Sequence, residues 1–158
     1  MPVEIRHRPS PGPIEEQVFV ALQRAADRLL QGVERLLKRR SLSPAQYNVL
    51  RILRGAGPEG LCCREIAERM VTRDPDMTRL LDRMERRGLV ARERQDRDRR
   101  VVRVYATPAG LKLLRILDKP MREWHRRSLR HVSAATLRVV ARFLEDACQS
   151  ESKGSSEA

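Results

Sequence analysis

Residues Arg92–Gly110 read RERQDRDRRVVRVYATPAG. Six arginines fall between Arg92 and Arg103, with Asp96 and Asp98 set among them. A β-branched run and then Thr-Pro-Ala-Gly follow. Leu89–Arg94 and Val101–Ala106 predict two short strands, the second alternating and β-branched. Gln95 to Arg100 then forms the tip of a hairpin. Such a tip is either a solvated hairpin end or a finger that touches phosphate.

The residues before this stretch decide what the hairpin is attached to. Asp74-Pro75 opens a helix, with Asp74 as N-cap and Pro75 in its first turn. Met77, Leu80, Leu81 and Met84 form its buried stripe, and Gly88 stands where a left-handed residue ends it. A shorter helix, Arg64 to Met70, precedes it with Ile66, Ala67 and Met70 inward. Val71-Thr72-Arg73 joins the two. The outward face of the second helix carries Asp76, Thr78, Arg79, Asp82, Arg83 and Arg86. This is a helix-turn-helix pattern, and a hairpin directly after it is a wing. Wing arginines suit a minor groove, where narrow A·T tracts concentrate negative potential.

Farther out the chain reads as helix. Ile14, Val18, Leu22, Ala25, Leu29, Val33 and Leu36 make one apolar stripe along about seven turns. A helix that long in so small a chain either has a partner outside its own domain or lies across its own core, and the first is the usual case. Ser43-Pro44-Ala45-Gln46 is a capping-box start, followed by buried Val49, Leu50 and Leu53 and stopped by Gly55, Gly57 and Pro58. Thr107 caps a helix with Leu111, Leu114 and Leu117 on one side, kinked at Pro120 and resuming to about Arg130. Ser133 starts a last helix carrying Leu137, Val140, Ala141 and Leu144. Residues 1–13 read as an irregular arm and 151–158 as a disordered tail.

Composition bounds the function. The net charge is +12 in 158 residues, and residues 79–103 hold ten arginines against five acids. Such a chain favours polyanions. Aromatics are only 3%, too few for the stacking platforms that single-stranded nucleic acid requires. No apolar run is long enough to span a membrane, and the start lacks a secretory apolar core. A cytoplasmic location is expected. No phosphate loop, zinc-protease motif or nucleophile elbow is present, so no enzyme activity, cofactor or metal is expected. Cys62, Cys63 and Cys148 lack disulfide or zinc spacing. His125 and His131, six apart, do not share a helical face.

The string LSPAQYNVLRIL (42–53), REIAERM (64–70), MTRLLDRMERRGLVAR (77–92) and DRR (98–100) ahead of ATPAG (106–110) resembles the winged helix-turn-helix of the MarR family. That family's wing carries Asp-x-Arg before a strand ending in Leu-Thr-x-x-Gly. Here Ala106 stands in place of the leucine. The resemblance covers roughly residues 14–148. It implies a mainly α fold with a small β-wing, with a DNA-binding domain over 42–110 and a helical dimerisation region over 14–41 and 111–150. It further implies a homodimeric repressor that reads a pseudo-palindromic operator in double-stranded DNA and is released by a small-molecule effector, often a phenolic or apolar acid. Ile14, Val18, Leu22, Leu137, Val140 and Leu144 would then meet the second copy.

Under this resemblance Thr78 and Arg79 are recognition-helix contacts, with Arg79 suited to guanine. The bland alternative is an exposed arginine paired to Asp82 or Glu85. Arg83 reads as a phosphate contact or a salt bridge. Arg73 and Asp76 lie at the helix start, where Asp76 either supports the helix dipole or meets a cytosine. Among Arg97, Arg99 and Arg100, Arg100 best fits the family's wing arginine and Asp98 its structural partner, but which one enters the minor groove stays open. Tyr47, Trp124 and His125 are candidates for an effector pocket. Two other readings remain: an architectural DNA-binding protein without effector, and a thiol-based redox regulator acting through Cys62 or Cys63 at a helix start.

Overall fold

A computed structural model describes residues 12–94 and 102–154 of the chain. The elements run α1 (Ile14–Lys38), α2 (Pro44–Ala56), a 3-10 turn (Gly57–Glu59), β1 (Leu61–Cys62), α3 (Cys63–Arg69), α4 (Met77–Arg86), β2 (Val90–Arg94), β3 (Val102–Ala106), α5 (Pro108–Leu129) and α6 (Ala134–Gly154). The fold is the mainly helical winged helix-turn-helix with a small antiparallel sheet.

The chain divides into two compact units, Met1–Met121 and Arg122–Ala158. In the first, α2 starts on the expected capping box: the Ser43 Oγ accepts from Gln46 N–H at 3.2 Å, and Gln46 Oε1 accepts from Ser43 N–H at 3.1 Å. Val49, Leu50 and Leu53 of α2 are buried with Ile66 of α3 and Met77, Leu80, Leu81 and Met84 of α4. Leu114 and Leu117 of α5 close the same core. All four apolar positions expected on α4 are therefore inward, which fixes the opposite face outward.

The sheet has three strands, in the order β1-β3-β2. Sequence reading missed β1, because two residues carry no period. Leu61 pairs with Val104 and Cys62 with Arg103. Val90 pairs with Ala106, Arg92 with Val104 and Arg94 with Val102. Paired residues share a face, so Leu61, Val104 and Arg92 lie on one side and Cys62, Arg103 and Glu93 on the other.

Gly88 has φ 67°, the left-handed value its position demanded. Its N–H donates to Glu85 O and that of Leu89 to Met84 O, at 2.8 and 3.0 Å, which is a Schellman ending. The Thr107 hydroxyl donates to Gly88 O at 2.6 Å and accepts from Gly110 N–H at 3.1 Å. A Cβ on Gly110 would collide with the Leu89 carbonyl. Thr-Pro-Ala-Gly thus seats the start of α5 against the end of α4.

Two expectations are corrected. The N-cap of α4 is Asp76, not Asp74: Asp76 Oδ1 accepts from Arg79 N–H at 3.1 Å. Asp74 instead accepts from Asp76 N–H at 2.9 Å, an Asx turn that delays the helix by two residues. At the other end α6 continues to Gly154, four residues into the segment read as tail, since nothing before that glycine breaks a helix. α5 runs through Pro120 as one helix. In the second unit the Ser133 Oγ caps α6, accepting from Thr136 N–H at 3.1 Å. No helix among the described residues is long and apolar enough to cross a membrane.

Candidate nucleic-acid interface

The buried stripe of α4 leaves Thr78, Arg79 and Arg83 exposed on its far side. Arg79 keeps 80% of its side-chain surface and pairs through Nε with Asp76 Oδ2 at 3.1 Å. Its partner is therefore Asp76 and not Asp82 or Glu85. One carboxylate both caps the helix and holds the arginine at its N-terminal end. Asp76 thus supports the start of the helix through both the cap and the ion pair. Arg73, three residues before the cap, is exposed and makes no ion pair among the described residues.

Asp82 and Glu85 are held by a residue sequence reasoning passed over. Arg92 on β2 donates through Nη1 to Asp82 Oδ1 at 2.6 Å and to Glu85 Oε2 at 2.8 Å. Only 24% of its side chain is exposed. One nitrogen bridging two carboxylates about one helical turn apart ties the base of the wing to α4 through charge-assisted bonds. The signal was present: two acids spaced i,i+3 on α4, and an arginine in phase with buried Val90. Asn48 was also missed. Its Oδ1 accepts from Val71 N–H at 2.8 Å, fixing the turn between α3 and α4 from α2. Arg97, Asp98, Arg99 and Arg100 lie outside the described residues.

A cavity of about 420 Å³ opens beside this lobe. Leu30 and Val33 of α1, Tyr47 and Arg51 of α2, and Met70 and Arg73 near the turn line it, with carboxylates Glu34 and Asp74. The Arg51 guanidinium lies 5.8 Å from the Tyr47 ring centre. Burial pushes the Tyr47 hydroxyl pKa up, so it is a neutral donor at physiological pH. Trp124 and His125 belong to the second unit, where their rings meet edge to face with centroids 5.2 Å apart. Of the three pocket candidates, Tyr47 lines the cavity.

Cys63 is half-buried against the core. Burial pushes its thiol pKa up, opposite to what an oxidisable thiolate needs. Cys148 is exposed in the single chain. Among the expected dimer residues, Ile14, Val18, Val140 and Leu144 are exposed, and Leu22 and Leu137 half-buried. Phe19 at 60%, Val139 at 69% and Phe143 at 50% exposure add to these apolar faces.

The sequence profile of the MarR family matches residues 42–102. The HTH-type transcriptional repressor IacR of Pseudomonas putida is 30% identical over 131 residues, covering 83% of this chain and 77% of that protein. The chain belongs to the MarR family. Two solved structures place this MarR-family chain among transcription regulators. A MarR transcription factor from Planctomyces limnophilus is 41% identical with a TM-score of 0.66, over 86% of this chain and 98% of that one. The transcriptional repressor CouR, solved on a 23-mer DNA duplex, is 27% identical with a TM-score of 0.77, over 90% and 99%. The family leucine replaced by Ala106 falls opposite Val90 in the β2–β3 register, half-buried against the core.

Proposed function

We propose that the chain is a dimeric, sequence-specific transcriptional repressor that a small molecule releases from DNA. The observation that carries this is the exposed row Thr78, Arg79 and Arg83 on a helix whose other side is wholly buried. That face enters a major groove. The arginines at 97, 99 and 100 meet phosphate or the adjacent minor groove; a relative solved on a 23-mer duplex supports duplex DNA as the partner. Residues 14–41 and 111–150 form the dimer layer, and their exposed phenylalanines and valines favour a second copy as the cover. Two copies then set recognition helices about 34 Å apart, one turn of the duplex.

The effector occupies the cavity beside Tyr47. An apolar body suits Leu30, Val33 and Met70. A neutral phenol and the cations Arg51 and Arg73 suit an acidic or phenolic end. Raised thiol pKa at Cys63 weighs against a redox trigger.

The test is binding of the purified protein to DNA upstream of its own gene at about 150 mM salt, against excess random duplex. Selective binding with a two-fold footprint supports a repressor. Binding that random duplex erases overturns it in favour of an architectural protein.

A further inference from the structure

Arg87 follows the last residue of α4 and turns its guanidinium away from the row that carries Thr78, Arg79 and Arg83. Its Nη1 donates to Ser41 O at 2.6 Å and to Gln46 Oε1 at 3.2 Å, and its Nη2 to Arg40 O at 3.4 Å. All three oxygens belong to the junction between α1 and α2. No carboxylate takes part in these three bonds, and the chain just before Ser41 carries Lys38, Arg39 and Arg40. A further cation there is tolerable only because the oxygens at the C-terminal, negative end of α1 receive it.

The junction itself is unusual. Ser41 has φ 51°, a left-handed conformation that L-residues other than asparagine and aspartate seldom take. Its N–H donates to Lys38 O and that of Leu42 to Leu37 O, at 3.0 and 3.2 Å. The turn leaves the Arg40 and Ser41 carbonyls outside the α1 ladder, and Arg87 accepts the task of satisfying both. Gln46 Oε1, which also closes the capping box of α2, takes the third bond. One guanidinium therefore joins the ends of α1 and α4 and the start of α2.

We propose that Arg87 is a positioning residue for DNA recognition. It fixes the angle of α4 against α1 and so sets the spacing of the two recognition helices in the dimer. This rests on the dimeric, DNA-reading function proposed above. Since Met70–Pro75 ahead of α4 wall the cavity, α4 has one end at the effector site and the other held by Arg87. A body in the cavity then tilts the helix instead of carrying it along.

The experiment compares the full-length wild type with Arg87→Met and Arg87→Lys. Binding is measured to duplexes carrying two half-sites, with the spacer varied one base pair at a time, and to a single half-site. Thermal melting is followed in parallel. Wild type is expected to prefer one spacer by about tenfold over its neighbours. Arg87→Met should flatten that preference while single half-site affinity stays within about twofold. Arg87→Lys, which keeps the charge and loses the fork, should recover part of it and tests the idea even where the methionine variant does not fold. A spacer optimum unchanged in the variants, whatever their melting point, overturns the inference alone. A wild type indifferent to spacer overturns the dimeric reading and this inference with it.

Discussion

The Arg92 guanidinium on β2 stands 2.6 Å from the Asp82 carboxylate on α4, so the strand that begins the wing is fastened to the helix proposed to read DNA. Glu85 takes the same nitrogen at 2.8 Å. Arg92→Met leaves both acids without their cation and is expected to cost about 1–3 kcal/mol in urea denaturation. Asp82→Asn should cost less, because Glu85 still holds the arginine. A methionine variant that unfolds at the wild-type urea midpoint would show that the clamp contributes nothing.

The proposed roles of Arg79 and Asp76 divide recognition from helix formation. Arg79→Ala is expected to lose about 1–3 kcal/mol of discrimination at particular base pairs, with random-duplex affinity nearly unchanged. Asp76→Ala should instead lower stability by about 0.5–2 kcal/mol through the lost cap. Base-by-base competition separates the two. Equal weakening on every sequence by Arg79→Ala would end the base-reading assignment.

The proposed role of the wing arginines is one of charge. Arg99→Ala combined with Arg100→Ala is expected to reduce the slope of log affinity against log salt by about 1–2, as fewer counterions are released. An unchanged slope in a salt titration would take these residues out of the interface.

Glu65 makes acid stability testable. Its carboxylate accepts from the Cys62 N–H at 2.7 Å, and that backbone bond, ahead of the Arg103 charge, holds its pKa below the usual range. In the unfolded chain it returns to about 4.3. The stabilisation is therefore complete above that value and is lost as pH falls through the lower folded one. Glu65→Gln keeps an oxygen for the N–H and removes the ionisation. Its urea midpoint should fall less steeply than that of wild type below about pH 5. Parallel curves for the two proteins would rule out this contribution.

What the sequence disclosed and what it hid follow from range. Ser43 with Gln46, Gly88, Thr107 and Ser133 act within four residues of themselves, and each was readable as a cap or stop. The α4 stripe was readable because period alone buries Leu80 and Met84. Arg87 with Ser41 and Asn48 with Val71 join residues far apart in the chain, and no local pattern marks them; Arg92 with Asp82 and Glu85 left only the spacing of the acids and the phase of the strand as a trace. β1 escaped because Leu61 and Cys62 exist as a strand only through Val104 and Arg103. The N-cap was misplaced by two residues because Asp74 and Asp76 carry the same chemistry, and only the backbone chooses between them.

The Thr107 N–H donates to the Leu89 carbonyl at 3.1 Å, so the chain departs for β2 and returns from β3 through a gate latched shut. Beyond that latch β2 and β3 stay tied to the lobe by buried Val90 and Val104, by the β1 pairing and by the Arg92 clamp. Lengthening the connection between Arg94 and Val102 twofold adds only about 0.6 kcal/mol of closure entropy. That connection can therefore be shortened, extended or exchanged for that of a relative while the latch, the strands and the helices on either side stay as they are. Its length and the architecture that carries it are separable properties of this protein.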